Sequence, residues 1–268
     1  MKTRIAMALT VLAGASSAAL ADPSALSLLF PFNSNDTTGW TQSMARNDDG
    51  SSNNIPLGFD FCFYQENRNN LWINNNGNLT FNGPLSSFTS TGFPIGTPMI
   101  APFWADVDTR NTTDADTNLV WHRTFGAPGN QVFVVTWDSV GWFANQNGQR
   151  NTFQVAIAEN ENQWGTNLNI AFSYGRMDWT TGQASGGGPF GGVAATVGAN
   201  QGDGIRFSQL GRFGQDGNAY DGAFGDVDGV NFLEYRTFFF NGCDGDVPAP
   251  GVLALVGLGG LVAGRRRR

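Results

Sequence analysis

The 268-residue chain predicts an all-β fold, a single antiparallel β-sandwich-like domain, on three observations. Charged residues make up only 14% of it while Phe numbers 22, Trp 8 and Gly 36; Phe and Trp suit pleated, half-buried surfaces, and Gly and Asn suit tight turns. Apolar and polar residues alternate along short segments that turn-forming residues separate roughly every 8–15 positions. No sustained helical periodicity runs between the two ends.

The first residues read as a secretory signal peptide. Lys2 and Arg4 open the chain, residues 5–20 are uncharged and mostly apolar, and Ala19-Leu20-Ala21 offers the small-x-small pattern of a signal-peptidase site. Cleavage there makes Asp22 the first mature residue. The alternative, an uncleaved anchor, has a run short for a span.

The strand-like segments follow in order. Residues 28–32 form a short apolar opening, and the polar, turn-rich stretch 33–54 reads as a loop. In 55–64, Leu57, Phe59, Phe61 and Phe63 share one face with Asp60 and Cys62 on the other. Segments 71–74 and 78–81 flank Asn75-Asn76-Gly77, whose Asn-Gly supplies the positive-φ residues of a hairpin turn. Further strands are expected at 99–107, 118–125, 131–140, 152–159, 168–176, 193–199 and 230–240. Residues 186–189 and 211–229, rich in Gly, read as loops. No composition break divides the region, so one domain over residues 22–246 is expected.

The C-terminal end has its own layout. Val247-Pro248-Ala249-Pro250 leads into an apolar or glycine stretch, 252–264, closed by Arg265, Arg266, Arg267 and Arg268. As a helix at ~1.5 Å per residue this stretch covers about 20 Å, short of a ~30 Å hydrocarbon core, and the arginines favour the cytoplasmic side. The order of features in 247–268 resembles the PEP-CTERM sorting tail, with Ala249 where that motif has Glu. The resemblance implies transient inner-membrane contact and processing by an exosortase-type protease. A plain membrane tail is the alternative reading.

Charge narrows the partners. Six of the 15 basic residues lie in the two ends and all 22 acidic residues lie between them, so the central region sets nine against 22, a net −13, with no lysine. Such a surface repels nucleic acid and anionic lipid, and nucleic-acid binding is excluded as a function. Cys62 and Cys243 are the two cysteines, and in an exported chain one disulfide is the single connectivity open to them. It would close a loop worth about 5 kcal/mol in the chain-entropy limit; two buried free thiols are the alternative.

Several segments, in this order, resemble the nidogen-like domain of extracellular matrix and adhesion proteins, also present in bacterial surface proteins. They are LWINNNGNLTF (71–81), IAPFWADVDT (100–109), NLVWHRT (118–124), VFVVTWDSVGWF (132–143), NTFQVAIAEN (151–160) and IAFSYGRMDW (170–179). GVAATVGANQGDG (192–204) and VNFLEYRTFFF (230–240) match less tightly, so the resemblance spans about 55–240, and 208–229 departs most from the pattern. It implies an extracellular interaction module without catalytic activity, and brings no binding residues with it.

The residues offer little to a reaction. His122 is the single histidine and sits within an expected strand, and neither a nucleophile elbow nor a zinc-binding H-E-x-x-H is present. Asp106 with Asp108, Asp138 and Glu159 are candidate carboxylate pairs for a glycosidase. Asp106, Asp108, Asp114 and Asp116, with Asn111 and Thr112 between them, form an oxygen-rich loop suited to calcium, although Arg110 breaks the EF-hand spacing. Asp216, Asn218, Asp221, Asp226 and Asp228 form a second such stretch; solvated turn carboxylates are the plainer reading of both. Trp137, Trp142, Phe143, Trp164 and Trp179 are candidates for stacking on sugars or partners, or for the core.

The expected function is therefore that of a non-enzymatic protein at the cell surface or in the extracellular matrix of a Gram-negative-type bacterium, binding exopolysaccharide or protein. A secreted polysaccharide-processing hydrolase and a structural surface-layer component are the alternatives.

Overall fold

The computed structural model describes residues 24–113 and 117–244. Within them run strands β1 (Thr41–Gln42), β2 (Ile55–Phe63), β3 (Glu66–Asn74), β4 (Asn78–Thr80), β5 (Met99–Trp104), β6 (Val107–Asp108) and β7 (Leu119–Phe125), then β8 (Val132–Trp142), β9 (Gln146–Ala158), β10 (Ile170–Met177), β11 (Ala195–Asn200), β12 (Phe207–Gln215), β13 (Asp228–Gly229) and β14 (Thr237–Phe240). They build two seven-stranded sheets. One has the order β1-β7-β8-β9-β10-β14 with β6 added against β8; the other runs β13-β12-β11-β5-β4-β3-β2. Pairing is antiparallel except for β12 with β13. Among the described residues helix is confined to three short 3-10 turns, at Ala25–Ser27, Gln183–Ser185 and Val230–Phe232. No helix among the described residues is long and apolar enough to cross a membrane. The signal segment, with Ala19, Ala21 and Asp22, and the 247–268 tail lie outside the described residues, as do Asp114 and Asp116.

The alternation in β2 has the predicted effect: Leu57, Phe59, Phe61 and Phe63 are all buried while Asp60 faces solvent. They join a core filled from both sheets, in which Phe103 of β5 meets Phe153 of β9 at 5.5 Å and Tyr174 of β10 donates to the Pro102 carbonyl at 2.7 Å. Burial of one such phenylalanine is worth about 1.5–3 kcal/mol. The β8 strand is buried along its whole length rather than on alternate residues. Its second face, with Val132 and Val134, is covered by Leu29, Phe30 and Trp40. Gln154 of β9 fixes that cover, donating to the Phe30 carbonyl at 2.9 Å and accepting from the Phe30 amide at 3.0 Å. The short apolar opening thus roofs the outer face of the first sheet. Residues 85–95 do the same for β5, where Leu85, Phe93 and Ile95 pack on Met99, Ala101 and Trp104.

Four segments depart from the sequence expectation. The loop assigned to 33–54 contains the short edge strand β1, paired with β7. The expected strand 99–107 is two strands: β5 belongs to one sheet, β6 to the other, and the chain crosses between them at Ala105 and Asp106. The glycine-rich 211–229 is not simply a loop, since β12 runs to Gln215 and β13 pairs with it. Gly211 is there because a Cβ would overlap the Asp228 carboxylate. The expected strand 230–240 is a strand only over Thr237–Phe240; its first part is a 3-10 turn, and Tyr235 takes a φ of +55°.

Cys62 and Cys243 are disulfide-bonded, with Cα atoms 4.8 Å apart across 181 positions. The bond ties β2 of one sheet to the residues just after β14 of the other.

Candidate functional site

The crossover at Ala105 and Asp106 is where the chain's chemistry concentrates. The hairpin between β3 and β4 closes at the Asn74–Asn78 pair, leaving Asn75-Asn76-Gly77 as a three-residue loop in which Gly77 alone has positive φ, +73°. This geometry frees the two asparagine side chains to brace the crossover. Asn75 Nδ2 donates to the carbonyls of Asp48, at 2.5 Å, and Val107, at 2.6 Å. Asn76 Oδ1 accepts from the Val107 amide at 2.9 Å, and its Nδ2 donates to Asp49 Oδ1, also at 2.9 Å. The loop carrying the two aspartates is itself tied down, with the Asn47 and Thr109 backbones joined at 2.9 Å and the Gly50 amide held by Asn47 Oδ1 at 2.6 Å.

The result is an acidic corner. One carboxylate oxygen from each of Asp48, Asp49 and Asp106 lies within 4.8 Å of the others. Asp106 is 1% exposed, and its Oδ2 is buried without a hydrogen-bond partner, as is Oδ1 of Asp48. Gly182 backs the cluster so closely that a Cβ there would run into the Asp106 carboxylate. Burial pushes the Asp106 carboxyl up to about 7, helped by the charges of Asp48, Asp49 and Asp108 against the opposing pull of Arg110. Burial also lifts Asp48 to about 6, with Asp108 and Asp49 adding to it and Arg110 again opposing.

The calcium loop expected from the sequence is therefore only partly assembled. Asp106 belongs to the corner, whereas Asp108 is committed elsewhere: its Oδ1 accepts from the Arg110 amide and Nε, and its Oδ2 from Arg110 Nη2 and the Asn145 amide. Asn111 Oδ1 accepts from the Thr113 amide and from Asn147. Asp48 and Asp49 escaped sequence reasoning because they lie in a segment read as loop, nearly 60 positions before Asp106. The signal that could have found them is the Asp-Asp-Gly of 48–50 beside an asparagine-rich turn.

The remaining sequence candidates are dispersed. Trp137 and Trp179 are fully buried and Trp142 nearly so, so these three are core and not contact residues; they sit where the sheets meet, and each indole is more valuable there as packing. Phe143 and Trp164 are partly buried. His122 of β7 lies 3.0 Å from Ser43 Oγ through Nδ1, and burial lowers its pKa. Glu159 Oε2 caps a turn, accepting from the amides of Gly129 and Gln131, and Asp138 is buried within β8. In the second oxygen-rich stretch, Asp228 is buried and accepts from the amides of Asp221 and Arg212. Two depressions are shallow and open to solvent, one lined by Arg110, Phe143, Ala144 and Asn145, the other by residues of β2 and β3 including Asp60 and Asn70. Phe224 stands 87% exposed on the loop before β13.

Two antiparallel-rich sheets around an aromatic core, closed by one disulfide and carrying an acidic corner, define a β-sandwich-like module. The nidogen-like domain model matches residues 69–219, more than half of the chain, and the chain belongs to that family. It is 34% identical to mouse alpha-tectorin over 207 residues, covering 68% of this chain and 9% of that protein. Nidogen from Drosophila melanogaster is 31% identical over 143 residues (46% and 10%), and mouse nidogen-2 is 30% identical over 160 residues (50% and 11%). The chain thus spans about a tenth of the length of these relatives. No solved structure matches it. Strands β2 and β14 lie outside the matched stretch yet complete the two sheets.

Proposed function

We propose that this chain is an exported, non-enzymatic contact protein that acts at the cell surface or in the extracellular matrix of a Gram-negative-type bacterium, adhering to exopolysaccharide or to extracellular proteins. Membership of the nidogen-like family is the observation that carries the reading. The disulfide supports it, since such bonds persist in oxidising compartments, and so does the acidic, lysine-free central region. The N-terminal signal and the 247–268 tail, read as a substrate for exosortase-type processing with passing inner-membrane contact, belong to the same proposal.

The hydrolase alternative finds no supporting observation. Asp108 is held by Arg110, Glu159 is engaged by two backbone amides, and Asp138 is buried in β8. A glycosidase needs two carboxyls facing each other across a cleft at about 5–10 Å. The test is retention of the purified protein on exopolysaccharide from the producing cells, read alongside release of reducing ends. Retention without release is expected. Release of new reducing ends would replace the binding reading with the enzymatic one.

A further inference from the structure

We propose that Asp48, Asp49 and Asp106 form a calcium site that clamps the crossover between the two sheets. The site goes beyond the contact function proposed above and does not depend on it.

Proximity of acids alone would not suffice, since acidic clusters are common on a surface so rich in aspartate. Here the buried oxygens set the cluster apart. Oδ2 of Asp106 and Oδ1 of Asp48 are both sealed from solvent and neither meets a donor. A buried, unsatisfied carboxylate oxygen costs several kcal/mol, and a well-braced fold retains that arrangement only if something satisfies it. A donor side chain would have been a simple answer, and Arg110 is near; its Nη2 instead sits on the far oxygen of Asp48, at 3.1 Å, and on Asp108. The guanidinium therefore covers the outside of the corner and leaves the inside to a smaller cation.

The dimensions fit calcium. At Ca–O distances of 2.3–2.6 Å, two ligand oxygens of one ion can stand at most ~5 Å apart, and the three carboxylate oxygens lie within 4.8 Å of one another. Calcium accepts irregular sets of six to eight oxygens, whereas magnesium demands a near-ideal octahedron. Three carboxylates supply part of such a set and water the remainder. The aspartates come from a loop and a crossover already fixed by Asn75 and Asn76, so little ordering is left to offset binding. Gly182, free of a Cβ, lets the Asp106 carboxylate pack against the backbone in this position. An ion there joins the 47–50 loop to the short link at Ala105 and Asp106 by which the chain passes from β5 of one sheet to β6 of the other.

A proton shared between Asp106 and Asp48 is the competing occupant, and the experiment separates the two. The full-length protein is stripped with excess chelator and melted at pH 7.5 with and without 1–5 mM (roughly the range of weak extracellular modules) CaCl₂, with MgCl₂ in parallel. Terbium emission sensitised by tryptophan gives a direct binding readout. The expected result is a rise in Tm of about 3 °C or more with calcium, a smaller one with magnesium, and terbium emission that calcium displaces. Asp106→Asn and Asp49→Asn should each lose both responses, while Asp216→Asn, at an exposed position in the other acidic stretch, should keep them. If Asp106→Asn fails to fold, Asp49→Asn decides. No calcium response in the stripped wild type, or a response retained in Asp49→Asn, overturns the proposal; a Tm raised by Asp106→Asn irrespective of calcium assigns the corner to a proton.

Discussion

Trp137 of β8 donates its indole N–H to the Asn75 carbonyl at 3.0 Å, joining the core of one sheet to the hairpin turn of the other. The same ring stacks on Phe153 with centroids 5.0 Å apart. Asn75 in turn holds Asp48 and Val107 through its side chain. One buried tryptophan thus connects the hydrophobic core to the acidic corner through a single asparagine.

Trp137→Phe keeps most of the apolar area but leaves the Asn75 carbonyl without that donor. The carbonyl keeps its bond from the Gly77 amide at 2.8 Å, so the change removes one of two hydrogen bonds and costs about 0.5–1.5 kcal/mol. Urea denaturation should show a loss in that range with an unchanged m-value, beyond what the lost ring area explains.

Gly77 is the position where the turn tolerates no side chain. It has φ of +73°, and an added Cβ would collide with the Phe103 carbonyl, whose own amide donates to Gly77 at 3.2 Å. Gly77→Ala should therefore destabilise by more than ~2 kcal/mol. Gly96→Ala is the control, because its Cβ meets nothing within 4 Å and its φ is ordinary; its effect should stay within ~0.5 kcal/mol. Paired thermal melts check both.

Strand β2 could be read from the sequence by its alternation of solvent and core, and β8, β10 and β11, buried almost throughout, as apolar runs bounded by turn residues. Strand β12 could not, because Gly211 and Gly214 break its pattern, and the reason for Gly211 is Asp228, 17 positions away and met only on folding. For Trp137, Trp142 and Trp179 the sequence left contact and core both open, because they lie toward strand ends; packing between the two sheets decides for the core. At the acidic corner Asp106 was legible within its motif. Its companions Asp48 and Asp49 were not, since only the asparagine turn brings their loop alongside.

The Cys62–Cys243 bond closes a loop of 181 positions. Cys62→Ser with Cys243→Ser should lower stability by about 2–5 kcal/mol. Reduction of the wild type should reproduce the lowered Tm, and alkylation should then count two thiols where the oxidised protein shows none.

Asp228 gives the fold a pH dependence with a defined sign. Burial raises its carboxyl to about 6 from an ordinary 3.8; the backbone amides of Asp221 and Arg212 pull the other way, and the Asp221 carboxyl adds to the rise. The folded protein therefore binds this proton more tightly than the unfolded chain. The stabilising contribution is fully present below about pH 4 and disappears as pH rises through about 6, so stability falls across that window. For a side chain this buried a rise of that size corresponds to a loss on the order of 3 kcal/mol. The raised carboxyls of Asp48 and Asp106 act in the same direction, which makes the difference between proteins the informative quantity. Asp228→Asn removes the titrating group, so its Tm should vary less between pH 4 and 6.5 than that of the wild type, measured in chelator at constant ionic strength. Parallel curves for the two proteins would mean that the Asp228 carboxyl titrates alike in the folded and unfolded chain.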